Sequence, residues 1–153
     1  MPDIYIDADA CPVKREVYRV ASRYGLTVFV VSNSWMRIPE SSRVQLVIVE
    51  EGEDAADDWI VRKVEKDDIV ISGDIPLASR CLKKGSHVLG NTGRPFDEHN
   101  ICDALSVRNL FHDLRQQGEM IGGPKPFSGK DRSRFLQELD RMIVMIRRKC
   151  QTD

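Results

Sequence analysis

Short apolar runs alternate with amphipathic segments through the first ninety residues of the chain, and this alternation limits the folds it can adopt. The apolar runs are rich in β-branched residues and predict five strands, at residues 4–6, 26–31, 44–49, 69–71 and 87–89. Helical spacing of apolar side chains predicts three helices between them, from Pro12 to Gly25, from the acidic segment 51–58 to about Glu65, and from Pro76 to Gly85. The pattern therefore predicts an α/β fold, an open and mainly parallel five-stranded sheet with helices on both faces.

The pattern changes after Gly90. The remaining residues are predicted as a loop at 91–98, a helix at 100–117, a Gly/Pro-rich segment at 118–129 and a final helix at 131–149. Apolar side chains recur at helical spacing along the final helix, which favours a packing surface over a cofactor site. We expect one domain over residues 1–153, in which 118–153 is a loop and helix appended to the α/β part.

Composition and charge exclude several classes of protein. Apolar residues make up 41% and charged residues 31% of the chain, which is a globular composition. The apolar runs are too short to span a bilayer and the amino terminus lacks a secretory leader, so we expect a cytoplasmic protein without membrane contact. A net charge of −1 argues against coating of nucleic acid by charge alone. The four cysteines form no CxxC pair and are expected to be thiols, with Cys11 a small buried residue.

Carboxylate and amide side chains recur directly after the predicted strands. They are Asp7 and Asp9 after the first strand, Asn33 after the second, Glu50 and Glu51 after the third, Asp74 after the fourth and Asn91 after the fifth. In an open parallel sheet, ligands bind beyond the carboxyl ends of the strands, so these side chains mark the expected site. Asp7, Asp9 and Asp74 converge there if the first and fourth strands are neighbours.

Clustered carboxylates indicate a divalent cation. Mg²⁺ and Mn²⁺ prefer oxygen ligands, and carboxylates brought together without a cation repel one another. The alternative is structural, because aspartate is a favoured helix cap and turn residue. In this structural interpretation Asp54 caps the second helix. Asp57 and Asp58 are then solvated residues of its first turn, favoured there by the helix dipole. For Asp7 and Asp74 together, each directly after an apolar strand, the functional interpretation is favoured.

Two glycine-containing segments are candidates for holding a phosphate. Residues 90–94, Gly-Asn-Thr-Gly-Arg, could form a small anion-binding loop but lack the known nucleotide fingerprints. The segment GGPKPF at 122–127 could present Lys125 and backbone amides to a phosphate, or could be a rigid linker before the last helix. His87, His99 and His112 accompany no recognisable Ser or Cys nucleophile elbow and are interpreted as surface or packing residues.

Four motifs make the chain resemble a known family. IYIDADACPVK at the amino terminus, DAADDWI in the middle, SGDIPLA after the fourth strand, and GGPKPF followed by DRSRF look like the YaiI/YqxD family of bacterial proteins over essentially the whole chain. That family is similar in turn to PIN-like domains, which are metal-dependent nucleases that mostly cut RNA. The resemblance implies that Asp7 ends strand one, that Asp57 or Asp58 is the acid on a following helix, and that Asp74 is the acid after strand four. The chain departs from the pattern near strand five, where such proteins often have an acid and this chain offers Asn91, with Asp97, Glu98 or Asp103 as later substitutes.

The expected function is hydrolysis of RNA phosphodiesters by a Mg²⁺- or Mn²⁺-dependent nuclease. The residues expected at the site are Asp7, Asp9 and Asp74 for catalysis, Asp7, Asp57, Asp58 and Asp74 for the metal, and Asn33, Asn91, Lys125 and Arg132 for substrate binding. Two alternatives stay open: a regulatory module that holds a metal or a ligand without catalysis, and a phosphatase that acts on a small phosphate. RNA or another nucleic acid and a second copy of the chain are the candidate partners.

Overall fold

A single six-stranded sheet organises the computed structural model, which describes residues 2–8, 11–50, 55–101 and 127–152. Its strands are β1 (Ile4–Asp7), β2 (Val28–Ser32), β3 (Val44–Ile48), β4 (Ile69–Ile71), β5 (His87–Leu89) and β6 (Pro95–Phe96). They lie in the order β3-β2-β1-β4-β5-β6, and every neighbouring pair is parallel except β5 and β6. The predicted α/β class and the mainly parallel sheet are confirmed.

Four helices accompany the sheet in the described ranges: α1 (Lys14–Tyr24), α2 (Ala55–Lys63), α3 (Ile75–Lys83) and α4 (Gly129–Thr152). Gly25 ends α1 in the left-handed conformation, with φ of 68°, as its position after the last apolar residue predicted. Residues 98–101 are also helical, but most of the predicted helix at 100–117 lies outside the described residues. None of the described helices is long and apolar enough to cross a membrane.

The sheet separates two apolar layers. Alternate residues of each strand point to opposite faces, so Ile4 and Ile6 pack with α1 and α4, whereas Tyr5 packs with α2 and α3. The first layer is the larger and includes Val17, Val20, Phe135, Leu139, Ile143 and Ile146. The central strands are therefore covered on both faces, as their continuous apolar character predicted.

Helix α4 is part of the first layer. Its residues Phe135, Leu139 and Ile143 are fully buried. Polar contacts join α4 to α1 near both ends of the shorter helix: Arg132 pairs with Glu16 at 3.0 Å, and the Tyr24 hydroxyl donates a hydrogen bond to Asp140. The two helices therefore run in parallel, and α4 starts at the same end of the sheet as α1.

Helix α4 begins two residues earlier than the sequence predicted. Ser128 and Asp131 explain the difference, because the backbone N–H of each donates to the side-chain oxygen of the other, at 3.0 and 3.3 Å. This reciprocal pair is a capping arrangement that satisfies backbone groups at the start of the helix.

Strand β6 is an addition to the five strands predicted from the sequence. Residues 91–98 were expected to be a loop, but Pro95 and Phe96 pair with Leu89 and Val88 after a tight turn at Gly93. A two-residue strand shows no periodicity, so the apolar pattern does not reveal it. The strand lies at the edge of the sheet, where proline is tolerated.

Gly93 has a packing role that the sequence did not indicate. Its φ is 86°, and a Cβ at this position would lie 2.6 Å from the backbone nitrogen of Phe135 in α4. The turn after β5 therefore approaches the backbone of α4 as closely as a residue without a side chain permits. Gly129, at the start of the same helix, has no atom within 4 Å of its corresponding position.

These two glycines provide a matched test of the packing between the β5–β6 turn and α4. We expect Gly93→Ala to lower the free energy of unfolding by at least about 2 kcal/mol, because it adds left-handed strain and a backbone collision. Gly129→Ala should leave it unchanged or raise it by up to about 1 kcal/mol. Urea unfolding followed by circular dichroism measures both, and equal effects of the two variants would contradict the close approach seen at Gly93.

Candidate metal centre

The strand order places β1 and β4 side by side at the centre of the sheet. From β1 the chain moves outward through β2 to β3, and it then returns to β4 on the other side of β1. Ile4 pairs with Ile69 and Ile6 with Ile71, so Asp7 and Ser72 emerge together at the carboxyl ends of the two strands. This point, where the strand order reverses, is where ligands bind in open α/β sheets.

Three aspartates converge at this reversal point. Asp7, Asp57 and Asp74 each offer one carboxylate oxygen, and the three oxygens lie within 4.8 Å of one another. We call these three residues the acidic cluster. All three side chains are half-buried, so solvent reaches the cluster in part. The convergence of Asp7 and Asp74 that the sequence predicted is present.

Each member of the acidic cluster comes from a different element. Asp7 ends β1 on the same face as Tyr5, the face that α2 and α3 cover. Asp57 lies in the first turn of α2, the helix that carries the chain from the edge strand β3 across to β4. Asp74 is the residue that caps α3. The helix before β4 and the helix after β4 thus both bring a carboxylate to the end of β1.

Hydrogen bonds orient two of these carboxylates. The Ser72 hydroxyl donates to Asp7 Oδ2 at 3.2 Å and accepts from the backbone N–H of Asp74 at 2.9 Å. The backbone N–H of Leu77 donates to Asp74 Oδ1 at 3.0 Å, which is the capping bond of α3. Capping and clustering are therefore not alternatives for Asp74, because one of its oxygens caps the helix while the carboxylate belongs to the cluster.

Asp57 and Asp58, which the sequence did not distinguish, occupy different positions. Asp57 is in the acidic cluster. Asp58 is exposed and pairs with Arg80 of α3 at 2.9 Å. Successive residues of a helix point about 100° apart, so only one of the two can face the end of β1.

The two predicted amide residues lie at the same edge of the sheet. Asn33 follows β2 directly, and its buried Oδ1 accepts no hydrogen bond from the residues that the structure describes. Asn91 approaches Gly73, the residue between Ser72 and Asp74, with its Nδ2 3.5 Å from the position a Cβ would take. Both amides therefore border the acidic cluster.

Of the two predicted cationic residues, Arg132 lies in the part of the chain that the structure describes. Arg132 starts from the first turns of α4, at the same end of the sheet but in the opposite helical layer. It pairs with Glu16 and lies over the ring of Phe127, with its guanidinium carbon 5.7 Å from the ring centroid. Asp9 and Lys125, predicted for catalysis and for substrate binding, lie outside the described residues.

Three contributors near the site were missed by sequence reasoning. Ser72 aligns Asp7 with Asp74, Glu16 holds Arg132, and Lys14 donates to the carbonyls of Ala8 and Cys11 at 3.5 and 3.2 Å. A serine before Gly-Asp and a lysine two residues after a helix-starting proline are common in turns, so neither carries a specific signal. The role of Ser72 depends on which strands are neighbours, and that of Glu16 on the packing of α1 with α4, whereas the bonds of Lys14 are local.

Cys11 and Cys81 are buried thiols that pack in the two apolar layers. Burial raises the pKa of Cys11, against the smaller opposing effects of a Val13 backbone hydrogen bond and Lys14. Burial raises the pKa of Cys81 to about 12. Burial therefore disfavours the thiolate form of both side chains. Cys11 belongs to the first apolar layer, which confirms the packing role predicted for it.

The donor set fits a hard divalent cation. Three carboxylates at this separation repel one another by an amount on the order of 1 to 4 kcal/mol for each pair, depending on the local dielectric. A Mg²⁺ or Mn²⁺ ion removes that repulsion and prefers oxygen ligands of this kind. Because the three carboxylate side chains are only half-buried, water or substrate oxygens can complete the coordination of such an ion.

The chain was compared with known proteins. The sequence profile of a family described as uncharacterised, the YaiI/YqxD family, matches residues 5–145. The UPF0178 protein of Nitrobacter winogradskyi is 52% identical over 147 residues, which cover 96% of this chain and 94% of that protein. The UPF0178 protein of Paramagnetospirillum magneticum is 53% identical over 148 residues, covering 97% of this chain and 98% of that protein. No solved structure matches significantly.

The profile match and the relatives confirm the resemblance inferred from the four sequence motifs. All three members of the acidic cluster lie within the matched residues. The chain belongs to the YaiI/YqxD family.

Proposed function

We propose that the protein is a Mg²⁺- or Mn²⁺-dependent nuclease that hydrolyses RNA phosphodiesters at the acidic cluster. The observation that carries the proposal is the convergence of Asp7, Asp57 and Asp74 within 4.8 Å at the reversal point of the sheet. The order of these residues, an acid ending strand one, an acid on a helix and an acid after strand four, also resembles the pattern of PIN-like nucleases.

Asp7, Asp57 and Asp74 would hold the cation, and Ser72 would keep Asp7 and Asp74 in register. When bound, the cation makes water a better nucleophile at neutral pH and stabilises the negative charge that develops on a phosphodiester. The carboxylates fix its position because β1 and α3 are anchored in two apolar layers. Asn33 and Asn91 would contact polar substrate groups at the rim.

Cationic side chains around the same edge support a phosphate-bearing substrate. Arg37 follows β2, Arg94 lies in the β5–β6 turn, and Arg132 starts from the first turns of α4. All three are exposed and come from segments at the carboxyl ends of parallel strands or at the start of α4. Exposed cations at the edge of the sheet that carries the acidic cluster favour an anionic substrate, and Lys125 is proposed to add a further cation there.

Cleavage of labelled single-stranded RNA in the presence of Mn²⁺ tests the proposal directly. We expect Asp7→Asn, Asp57→Asn and Asp74→Asn each to lower kcat/KM by roughly 100-fold or more, because stabilisation of charge by the metal is worth several kcal/mol. Asp58→Asn is the matched control, since this residue adjoins Asp57 but pairs with Arg80, and it should retain most of the activity.

Four results would contradict or redirect the nuclease proposal. Equal losses in Asp57→Asn and Asp58→Asn would contradict the assignment of Asp57. Cleavage that persists in EDTA would exclude the metal. Metal binding without RNA cleavage would indicate a regulatory module, and turnover of small phosphate monoesters alone would indicate a phosphatase.

Thermal unfolding gives a test of metal binding that does not depend on activity. In EDTA we expect Asp57→Asn to stabilise the protein by on the order of 1 kcal/mol, because it removes one repelling charge. Asp58→Asn should be neutral or slightly destabilising, because it breaks an exposed ion pair. Mn²⁺ at about 100 times its Kd should stabilise the wild type by about 2.7 kcal/mol and Asp57→Asn much less. If Mn²⁺ raised the free energy of unfolding equally in the wild type and in Asp57→Asn, the assignment of the metal centre would be contradicted.

Ser72 can be tested as a positioning residue against Ser86. Both hydroxyls are buried and donate one hydrogen bond, Ser72 to Asp7 and Ser86 to the carbonyl of Cys81. We expect each alanine variant to lower the free energy of unfolding by about 1 to 3 kcal/mol. Only Ser72→Ala should also weaken Mn²⁺ binding, by roughly 10- to 100-fold in calorimetric titration. Equal Mn²⁺ affinity in the two variants would reduce Ser72 to a structural role.

A further inference from the structure

Trp35 is the large apolar side chain most exposed to solvent in the described part of the chain. It is 74% exposed, compared with 55% for Ile48 and 51% for Met145. The other tryptophan, Trp59, packs against Tyr5 and Phe29, with ring centroids 6.1 and 6.2 Å away. Burying a large apolar side chain stabilises a protein by roughly 1.5 to 3 kcal/mol, and Trp35 gains little of this.

The segment that carries Trp35, residues 33–38, is anchored on both sides of it. Ser34 donates its backbone N–H to the Ser32 hydroxyl at 3.2 Å, which fixes the turn after β2. Met36 and Ile38 are partly buried against the first apolar layer. Trp35 and Arg37 alternate with them and are exposed, so the segment holds these two side chains outward on a supported backbone.

This segment leaves the sheet at the carboxyl end of β2, the strand that neighbours β1. Asp7 pairs with Val31 in the β1–β2 register, and the N–H of Ala8 donates to the Val31 carbonyl at 3.0 Å. Trp35 is three residues beyond Ser32, the end of β2, so its Cα lies within about 11 Å of that residue. The Trp35 backbone thus lies near the carboxyl end of β2, at the edge of the sheet where β1 ends in Asp7.

We propose that Trp35 is a stacking platform for an unpaired base of the nucleic acid cleaved at the acidic cluster, with Arg37 contacting the adjacent phosphate. The inference rests on the proposed function and narrows its substrate to single-stranded nucleic acid. Sites for single strands combine aromatic faces with cationic side chains along the backbone path. Trp35 and Arg37 supply that pair on one short segment, and Arg94 supplies a second cation at the same edge.

The charge around Trp35 favours a nucleic acid over a second copy of the chain as the occupant. Two copies joined symmetrically at Trp35 would bring the exposed Arg37 side chains of both copies together, and these like charges repel. The phosphodiester backbone of a nucleic acid instead meets the exposed cations at this edge of the sheet and can extend to a metal at the acidic cluster. A base inside a duplex has no free face, so the platform also discriminates between single and double strands.

Binding can be measured in full-length protein that carries Asp74→Asn, so that the RNA is not cleaved. The probe is a fluorescein-labelled oligouridylate of about twelve nucleotides, within the usual site size, and a duplex of the same length is the comparison. We expect Trp35→Ala to raise Kd for the single strand by about 5- to 150-fold, and to leave duplex binding nearly unchanged. Trp35→Phe should recover part of the loss, and Met145→Ala, an exposed apolar side chain on α4, should have no effect.

Fluorescence supplies an independent signal of stacking. The chain has two tryptophans, so Trp59→Phe leaves Trp35 as the one emitting indole. Stacking on uracil should quench its emission as the oligonucleotide is added. Emission that does not change at saturating RNA would overturn the proposal, even if Trp35→Ala weakens binding through a change in folding.

The outcomes separate this inference from the nuclease proposal. If the wild type cleaves RNA and Trp35→Ala binds the single strand as tightly as the wild type, the stacking role is refuted while the nuclease stands. If the wild type binds single strands through Trp35 but cleaves none, the nuclease is refuted while the stacking role stands. If Trp35→Ala converts an oligomer into a monomer in sedimentation, the residue belongs to an interface between copies and the stacking role is refuted.

Discussion

The parallel pairing of β1 with β4 is the constraint on which the rest of the structure depends. It reverses the strand order at the centre of the sheet and sets Asp7 beside Ser72, two residues before Asp74. Parallel strands need apolar cover on both faces, and the two layers of helices provide it. The free energy that holds the carboxylates together therefore comes from apolar contacts in the sheet and its helices, because the carboxylates themselves repel one another.

The two helical layers have different roles around this pairing. Helices α1 and α4 bury the larger apolar cluster and bring few ionisable groups to the reversal point. Helices α2 and α3 are nine residues each and bring Asp57 and Asp74 to it. The longer parallel pair of helices thus stabilises the sheet, and the shorter pair shapes the site. Ser72 links the carboxylate at the end of β1 to the residue that caps α3, since it is a buried strand-end residue that bonds to both Asp7 and Asp74.

The sequence predicted the features that depend on local pattern and missed those that depend on tertiary contacts. Strand-end positions identified Asp7 and Asp74, because an acid directly after a buried strand is visible in the chain itself. The choice between Asp57 and Asp58 depends on helical phase relative to β1, and a one-residue uncertainty in the start of a helix rotates each side chain by about 100°. Strand β6 is too short to show periodicity, and the need for Gly93 arises from an approach of α4 that lies far away in sequence.

The position of Asp57 depends on an aromatic cluster that is not part of the site. Tyr5 and Phe29 stack with centroids 5.1 Å apart, Trp59 of α2 packs on both rings, and the Tyr5 hydroxyl donates to the Lys63 carbonyl at the end of that helix. Such aromatic pairs contribute about 0.5 to 1.5 kcal/mol each beyond their buried area, comparable to the repulsion within the acidic cluster. Tyr5 lies two residues before Asp7 on the same face of β1. One strand therefore carries both a carboxylate of the site and the ring that fixes the helix bearing another, so the spacing of the two carboxylates is set by packing along β1.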